Sequence, residues 1–225
     1  GRRRTIIAKS PVPGIPVRGF SAFTGRFNNC LAWLAGGDQD RFMKHLIRRV
    51  RADEWRQVRD LRLAALQDPA APIAFLETYE DASTRPDTFW QERAANAAQG
   101  DAVAQFVAEA PDGSWDGTVS VLVEGRGSES AFSDPAVMDQ THVVGVFVRP
   151  EARGAGLADA LFRVGLAWSS AVEEPRVQRV RLFVHERNAR AQGLYRKLGF
   201  ERTGVTVPMA GDRSDEREIE MAVQR

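Results

Sequence analysis

Val143-Val144-Gly145-Val146-Phe147-Val148-Arg149-Pro150-Glu151-Ala152-Arg153-Gly154-Ala155-Gly156-Leu157-Ala158 changes character twice within one short run. Its first residues are β-branched or aromatic and predict a strand over His142–Val148. Gly145 interrupts that strand, where a glycine marks a β-bulge. From Leu157 onward the apolar positions Leu157, Leu161, Val164 and Trp168 recur at helical spacing and predict an amphipathic helix. Between strand and helix lies Arg153-Gly154-Ala155-Gly156. A helix opening exposes unpaired backbone N–H groups and about half a positive charge from the summed peptide dipoles. Two glycines let the backbone curl there, Arg153 adds a cation at the rim, and the small Ala158 leaves the first turn open. The loop is expected to hold an anion. The spacing excludes two common nucleotide sites. The third glycine of a dinucleotide fingerprint is missing and the loop falls late in the chain. No lysine followed by Ser or Thr follows the glycines, as a phosphate-binding P-loop requires.

Upstream, Leu46–Val50 reads as a first strand. Asp53 offers an N-cap to a helix carrying Trp55, Val58, Leu61 and Ala65, which Pro69 and Pro72 end. A second helix is expected from about Pro86 to Gly100. Strands Ala102–Glu109 and Thr118–Glu124 follow, joined at Pro111-Asp112-Gly113, and then a long polar connection, Gly125–Gln140. Downstream come a buried strand, Val180–Val184, and a helix, Asn188–Leu198, closed by Gly199. Strands near Thr203–Val207 and Glu216–Val223 end the sequence. Antiparallel strands first and βαβ units later predict a mixed α/β fold with helices on both faces of the sheet.

Bulk properties narrow the function. The 225 residues are 43% hydrophobic and 27% charged, ordinary for a globular protein. No apolar run approaches the ~20 residues of a membrane helix, so no membrane association is expected. A single cysteine, Cys30, excludes an internal disulfide, and three scattered histidines give no metal-ligand spacing, so no metal is expected. No continuous apolar segment follows Arg2-Arg3-Arg4, which argues against an export signal and for a cytoplasmic location. Residues 1–50 carry ten Lys or Arg against two Asp, whereas the rest carries an excess of acids. The basic residues are spread rather than gathered into a stripe, which weighs against nucleic acid as a partner. Residues 1–45, rich in Pro and Gly, read as a partly disordered N-terminal extension to a domain over 46–225.

The run from Val146 to Ala158 resembles the coenzyme-A loop of the GNAT superfamily of N-acetyltransferases, whose Arg/Gln, two residues, Gly, one residue, Gly/Ala pattern falls on Arg153, Gly156 and Ala158. A second signature agrees: Asn188, Ala191, Leu194-Tyr195 and Lys197-Leu198-Gly199-Phe200 resemble the family's asparagine helix and its Leu-Gly-Phe turn. The resemblance implies a central, mostly antiparallel sheet of 6–7 strands. It also implies acetyl-CoA as acyl donor and an amine acceptor, a small molecule or a peptide, attacking directly in a ternary complex. By the same resemblance, backbone groups of Val146 and Val148 hold the pantetheine arm, and Phe147 between them counts among the cofactor-binding residues. Gly154, Ala155, Gly156, Leu157 and Ala158 receive the pyrophosphate, and Asn188 contacts the cofactor or caps its helix. Tyr195 protonates the departing thiolate. A homodimer is common in the family. The general base is not marked by any motif: His185 is the first candidate by position, with Glu124 as the alternative and Glu77 behind it. Acids in the connections, Glu77, Glu80, Asp81, Glu129, Asp134 and Asp139, mildly favour a cationic amine. A competing reading is an acyl-CoA sensor on the same fold without turnover.

Overall fold

The computed structural model describes residues 45–129, 134–209 and 213–225. The expected extension therefore lies outside the described residues, apart from His45. Seven strands form one sheet: β1 (Leu46–Arg49), β2 (Val103–Glu109), β3 (Trp115–Glu124), β4 (Gln140–Val148), β5 (Arg179–His185), β6 (Glu201–Pro208) and β7 (Arg217–Gln224). Their spatial order is β1-β2-β3-β4-β5-β7-β6. Every neighbouring pair is antiparallel except β4–β5. The last strand in sequence thus sits inside the sheet, between β5 and the edge strand β6.

Among the described residues five α-helices accompany the strands: α1 (Trp55–Leu66), α2 (Tyr79–Ser83), α3 (Asp87–Gln99), α4 (Leu157–Ala171) and α5 (Ala189–Lys197). α1 and α3 cover one face, where Val58, Leu61, Trp90 and Ala94 pack with Val107, Trp115 and Phe147. α4 and α5 cover the other, where Leu157, Leu161, Phe162 and Tyr195 meet Val119, Val121, Val143 and Leu182. This is the helix-on-both-faces arrangement that the alternation of patterns predicts. Burying each such aliphatic side chain contributes roughly 1.5–3 kcal/mol.

Three local expectations need correction. The N-cap of α1 is Glu54, not Asp53, and it makes no side-chain capping bond. Its carboxylate instead accepts from the Arg51 N–H at 2.8 Å and from the Arg48 guanidinium at 2.6 and 2.9 Å, tying the helix start to β1. β3 begins at Trp115, three residues before the expected start. α2 was not expected: five residues are too few for a periodicity to register. Its start is set locally, by the Thr78 hydroxyl accepting from the Asp81 N–H at 3.1 Å.

Candidate active site

Along β4 and β5 the ladder holds only over Gln140–His142 against Arg179–Arg181. Beyond that point β4 stays with β3 and β5 stays with β7, so the two parallel strands part. The cause is visible in β4. Ser120 of β3 faces Val144 while Thr118 faces Phe147, so β4 carries one residue more than its partner across that interval. Gly145 sits in the excess at φ +63°, a conformation that side chains with a Cβ rarely adopt. The glycine expected to mark a bulge does so.

The gap opens into a cleft of about 660 Å³, lined by both parted strands, the 153–158 loop, α5 and the segment after α1. Gly154 and Gly156 stand at φ +85° and +77°, and Gly156 is the N-cap of α4. A Cβ on either would meet nothing within 4 Å, so it is the backbone turn that selects glycine here, not a close packing neighbour. The N–H groups of the first turn of α4 have no partner within the helix by its geometry, and this end of the helix lines the cleft.

Arg153, expected as a fixed cation at the rim, is held in place by two partners. Its Nε donates to the Val148 carbonyl at 2.9 Å and its Nη2 pairs with the buried Asp68 carboxylate. Asp68 also accepts from the Ala70 N–H at 2.8 Å. The guanidinium therefore fastens the loop to β4 and to the end of α1. One consequence is that the Val148 carbonyl already has a donor.

Asn188 caps α5, its Oδ1 accepting from the Ala191 N–H at 3.1 Å, and it lines the cleft. Tyr195 lies two turns further along, packed against Phe162 and Phe200 with ring centroids 5.3 and 6.2 Å away, and it also lines the cleft. Burial pushes its phenol pKa well above the ordinary tyrosine value, so the hydroxyl keeps its proton at neutral pH.

The two first candidates for a base separate. His185 is at the cleft, but both ring nitrogens are engaged. Nδ1 accepts from the Arg187 N–H at 3.1 Å, which assigns the ring proton to Nε2, and Nε2 donates to Glu216 at 2.7 Å. Glu124 is not among the residues that line the cleft. It is buried in a charged network spanning five strands, 2.8 Å from Gln140, 3.0 Å from His142 and 2.6 Å from Arg181. Arg181 and Arg179 in turn meet Glu220, which accepts from Thr203. Burial alone would raise the Glu124 pKa, but the bonds and charges of His142, Arg181 and Gln140 outweigh it and hold it at about 2. That carboxylate is a structural anion, spent on its partners. Glu77, the third candidate, accepts from Arg62 at 3.0 Å and does not line the cleft.

Three carboxylates that line the cleft, Asp68, Asp159 and Glu218, escaped the sequence reading, and of these Glu218 is the one without a partner among the described residues. Glu218, on β7, lines the cleft and stands in register with His185 across the β5–β7 ladder. Burial raises its pKa above the usual carboxylate range, against the opposing pull of His185 and Arg213. Its only signal in the sequence is the alternation Glu216, Glu218, Glu220, which looks like the solvated face of a terminal strand. Among the described residues no group of three or more His, Cys, Asp or Glu side chains is arranged to hold a metal ion, and no helix is long and apolar enough to cross a membrane.

Comparison with known proteins agrees with this geometry. Residues 55–200 match the model of the acetyltransferase (GNAT) family. A curated relative, a putative [ribosomal protein bS18]-alanine N-acetyltransferase of Bacillus subtilis (strain 168), is 39% identical over 72 residues. That match covers 31% of this chain and spans 44% of the relative, less than half its length. Among solved structures, a phosphinothricin acetyltransferase of Sinorhizobium meliloti in complex with AcCoA superposes with a TM-score of 0.59 at 16% identity, covering 81% of this chain and 89% of the other. NAA60 of Arabidopsis thaliana, in complex with a bisubstrate analogue, gives 0.57 at 16% identity over 80% and 97%. At such identities the two structures speak for the fold, and the family match covers more than half of the chain. The chain belongs to the GNAT family of acetyltransferases, enzymes that transfer acyl groups to amines.

Proposed function

We propose that this protein moves an acetyl group from acetyl-CoA to a primary amine, the acceptor attacking the thioester directly while both substrates occupy the cleft. The observation that carries this reading is the coincidence, in one cleft, of an open helix N-terminus, a parted strand pair and a protonated tyrosine. Each answers to one part of the donor. The N–H groups from Gly154 to Ala158 face the diphosphate, where the α4 dipole favours negative charge. The backbone of β4 around Val146, exposed where β5 has moved away, pairs with the amide groups of the pantetheine arm like an added strand, with Phe147 and Val148 beside it. Asn188 holds the start of α5 against the arm. Tyr195 then stands near the sulfur with a proton to give.

The chemistry follows. A neutral amine adds its lone pair to the thioester carbonyl carbon, the surplus proton on nitrogen leaves through water, and the tetrahedral intermediate collapses with loss of the C–S bond. The thiolate takes the phenol proton of Tyr195, a proton that burial has kept in place. The Bacillus subtilis relative is a putative ribosomal-protein alanine N-acetyltransferase, which puts peptide α-amines first among acceptors to test. An α-amino group, with a pKa of roughly 7.7–8.0, is partly neutral at pH 7 and asks less of a base than an alkylamine near ~10.4. His185 and Glu216 act in this reading as a fixed pair that shapes the acceptor side of the cleft.

The test is free-thiol release from acetyl-CoA over a panel of peptide N-termini, polyamines, aminoglycosides and amino acids. The expected result is release that depends on at least one amine. Thermal stabilisation by acetyl-CoA without amine-dependent release anywhere in the panel would instead identify an acyl-CoA sensor.

A further inference from the structure

Three acids alternate on one side of the chain as it enters β7, and their surroundings differ sharply. Glu216 accepts from His185 at 2.7 Å and from Arg187 at 2.6 Å. Glu220 is 2% exposed and accepts from Arg179, Arg181 and Thr203. Between them, Glu218 is half-buried at the cleft, and among the described residues its carboxylate has no hydrogen-bond or ion-pair partner. Two of the three are committed to holding the sheet together, and the middle one is not. A half-buried carboxylate without a partner carries a desolvation cost that a bound cation would remove.

Its position is also set. β5 and β7 run in full register through Phe183↔Glu220 and His185↔Glu218, so Glu218 is fixed across from His185 at the cleft that Tyr195 also lines, Tyr195 packing with Ile219 and Met221 on the other face of the sheet. The hairpin that carries it is pinned to the far wall, since the Arg213 guanidinium donates to the Pro72 carbonyl in the segment after α1.

We infer that Glu218 receives the amine of the acceptor as a cation and removes its proton, an assignment that rests on the acyl-transfer reading above. The ammonium N–H proton passes to the Glu218 carboxylate, and the freed lone pair forms the C–N bond. The C–S bond breaks with its electron pair on sulfur, which takes the Tyr195 proton. The nitrogen's surplus proton returns through water to the tyrosine oxygen, and Glu218 gives its own to solvent, so one proton is released per amide formed. Burial, which raises the Glu218 pKa, makes it a stronger base than a surface carboxylate. The charged and titratable groups facing it are His185 from β5 and Arg213 from the hairpin, with Tyr195 and the Asp68–Arg153 pair further along the cleft.

The experiment is the pH–rate profile of kcat/KM for wild type and Glu218→Gln with an amine that wild type accepts, alongside acetyl-CoA affinity by isothermal titration. For wild type we expect an acidic limb above the usual carboxylate range. For Glu218→Gln the rate should fall about 10²-fold or more, consistent with loss of a general base, with that limb gone and acetyl-CoA affinity within about twofold on the same scale of effect. A rate within about threefold of wild type, or a retained limb, overturns the assignment. Loss of acetyl-CoA binding in the folded variant overturns it too, because it would show a structural role. Should Glu218→Gln not fold, Glu218→Asp keeps the charge and withdraws it by one methylene. It should keep the limb at reduced rate, and an unchanged rate would overturn the assignment. Wild type that binds acetyl-CoA yet acylates no amine would sink the acyl-transfer reading itself, a failure distinct from any of these.

Discussion

In the proposed reading, Tyr195 serves packing and chemistry together. Its ring completes an aromatic cluster with Phe162 and Phe200, and the residue lines the cleft that the parted β4 and β5 also line. Desolvation is the sole cause of its raised pKa, so no neighbouring charge is needed to keep it protonated. Replacement by Phe retains the ring and removes the proton. Tyr195→Phe should lower kcat about 10²-fold, the usual scale of a lost general acid, with acetyl-CoA affinity nearly unchanged, as single-turnover kinetics and titration would show. Tyr195 and Asn188 were legible in the sequence because a motif with fixed spacing carries them. Glu218 was not, because its role depends on β7 lying inside the sheet. A terminal strand with alternating acids reads as a solvated edge, and only the insertion of β7 between β5 and β6 makes that face a cleft wall.

At the scale of elements, the parted strands and the helix opening form a single device. The extra residue at Gly145 bends β4 away, the loop turns through two positive-φ glycines, and Arg153 fastens the turn to Val148 and Asp68. Gly145→Val forces a β-branched residue into the left-handed region, at a cost of about 1–3 kcal/mol. The melting temperature should fall by roughly 2–4 °C for each kcal/mol lost. Acetyl-CoA affinity should fall with it as the bulge reshapes, which a thermal scan and a titration on the same sample would show. The strand, the bulge and the α4 stripe could be read directly, since each is written in consecutive residues at period 2 or 3.6. The Glu54 start of α1 could not, because its carboxylate is drawn back by Arg48 from β1. Asp53 has the better capping chemistry, and a contact between elements decides otherwise.

Across the whole molecule, the sheet is pinned by the charged network of Glu124, His142, Arg181, Arg179 and Glu220. No sequence pattern announces it, for its members stand on β3, β4, β5 and β7 and meet only once the strand order is set. The Glu124 pKa lies near 2 in the fold against 4.5 ordinarily. A depressed carboxylate pKa adds stability that is present above the unfolded value and lost as pH falls through the folded one. Urea midpoints should therefore drop between about pH 5 and pH 2, with Glu124 contributing on the order of 3 kcal/mol to that drop. Glu124→Gln should be less stable at pH 7 and flatter across the acid range. The same sheet presents the opening of α4 to the cleft, and on that opening the functional account stands. A side chain at Gly156 would enter open space, so its effect reports on the ligand rather than on packing. Asn and Asp both tolerate positive φ and differ only in charge. The decisive measurement is the dissociation constant of acetyl-CoA for wild type, Gly156→Asn and Gly156→Asp, each confirmed folded. The account predicts modest weakening with Asn and a loss of about 10²-fold or more with Asp, whose carboxylate opposes the diphosphate at the helix N-terminus. Equal affinity in all three would contradict it.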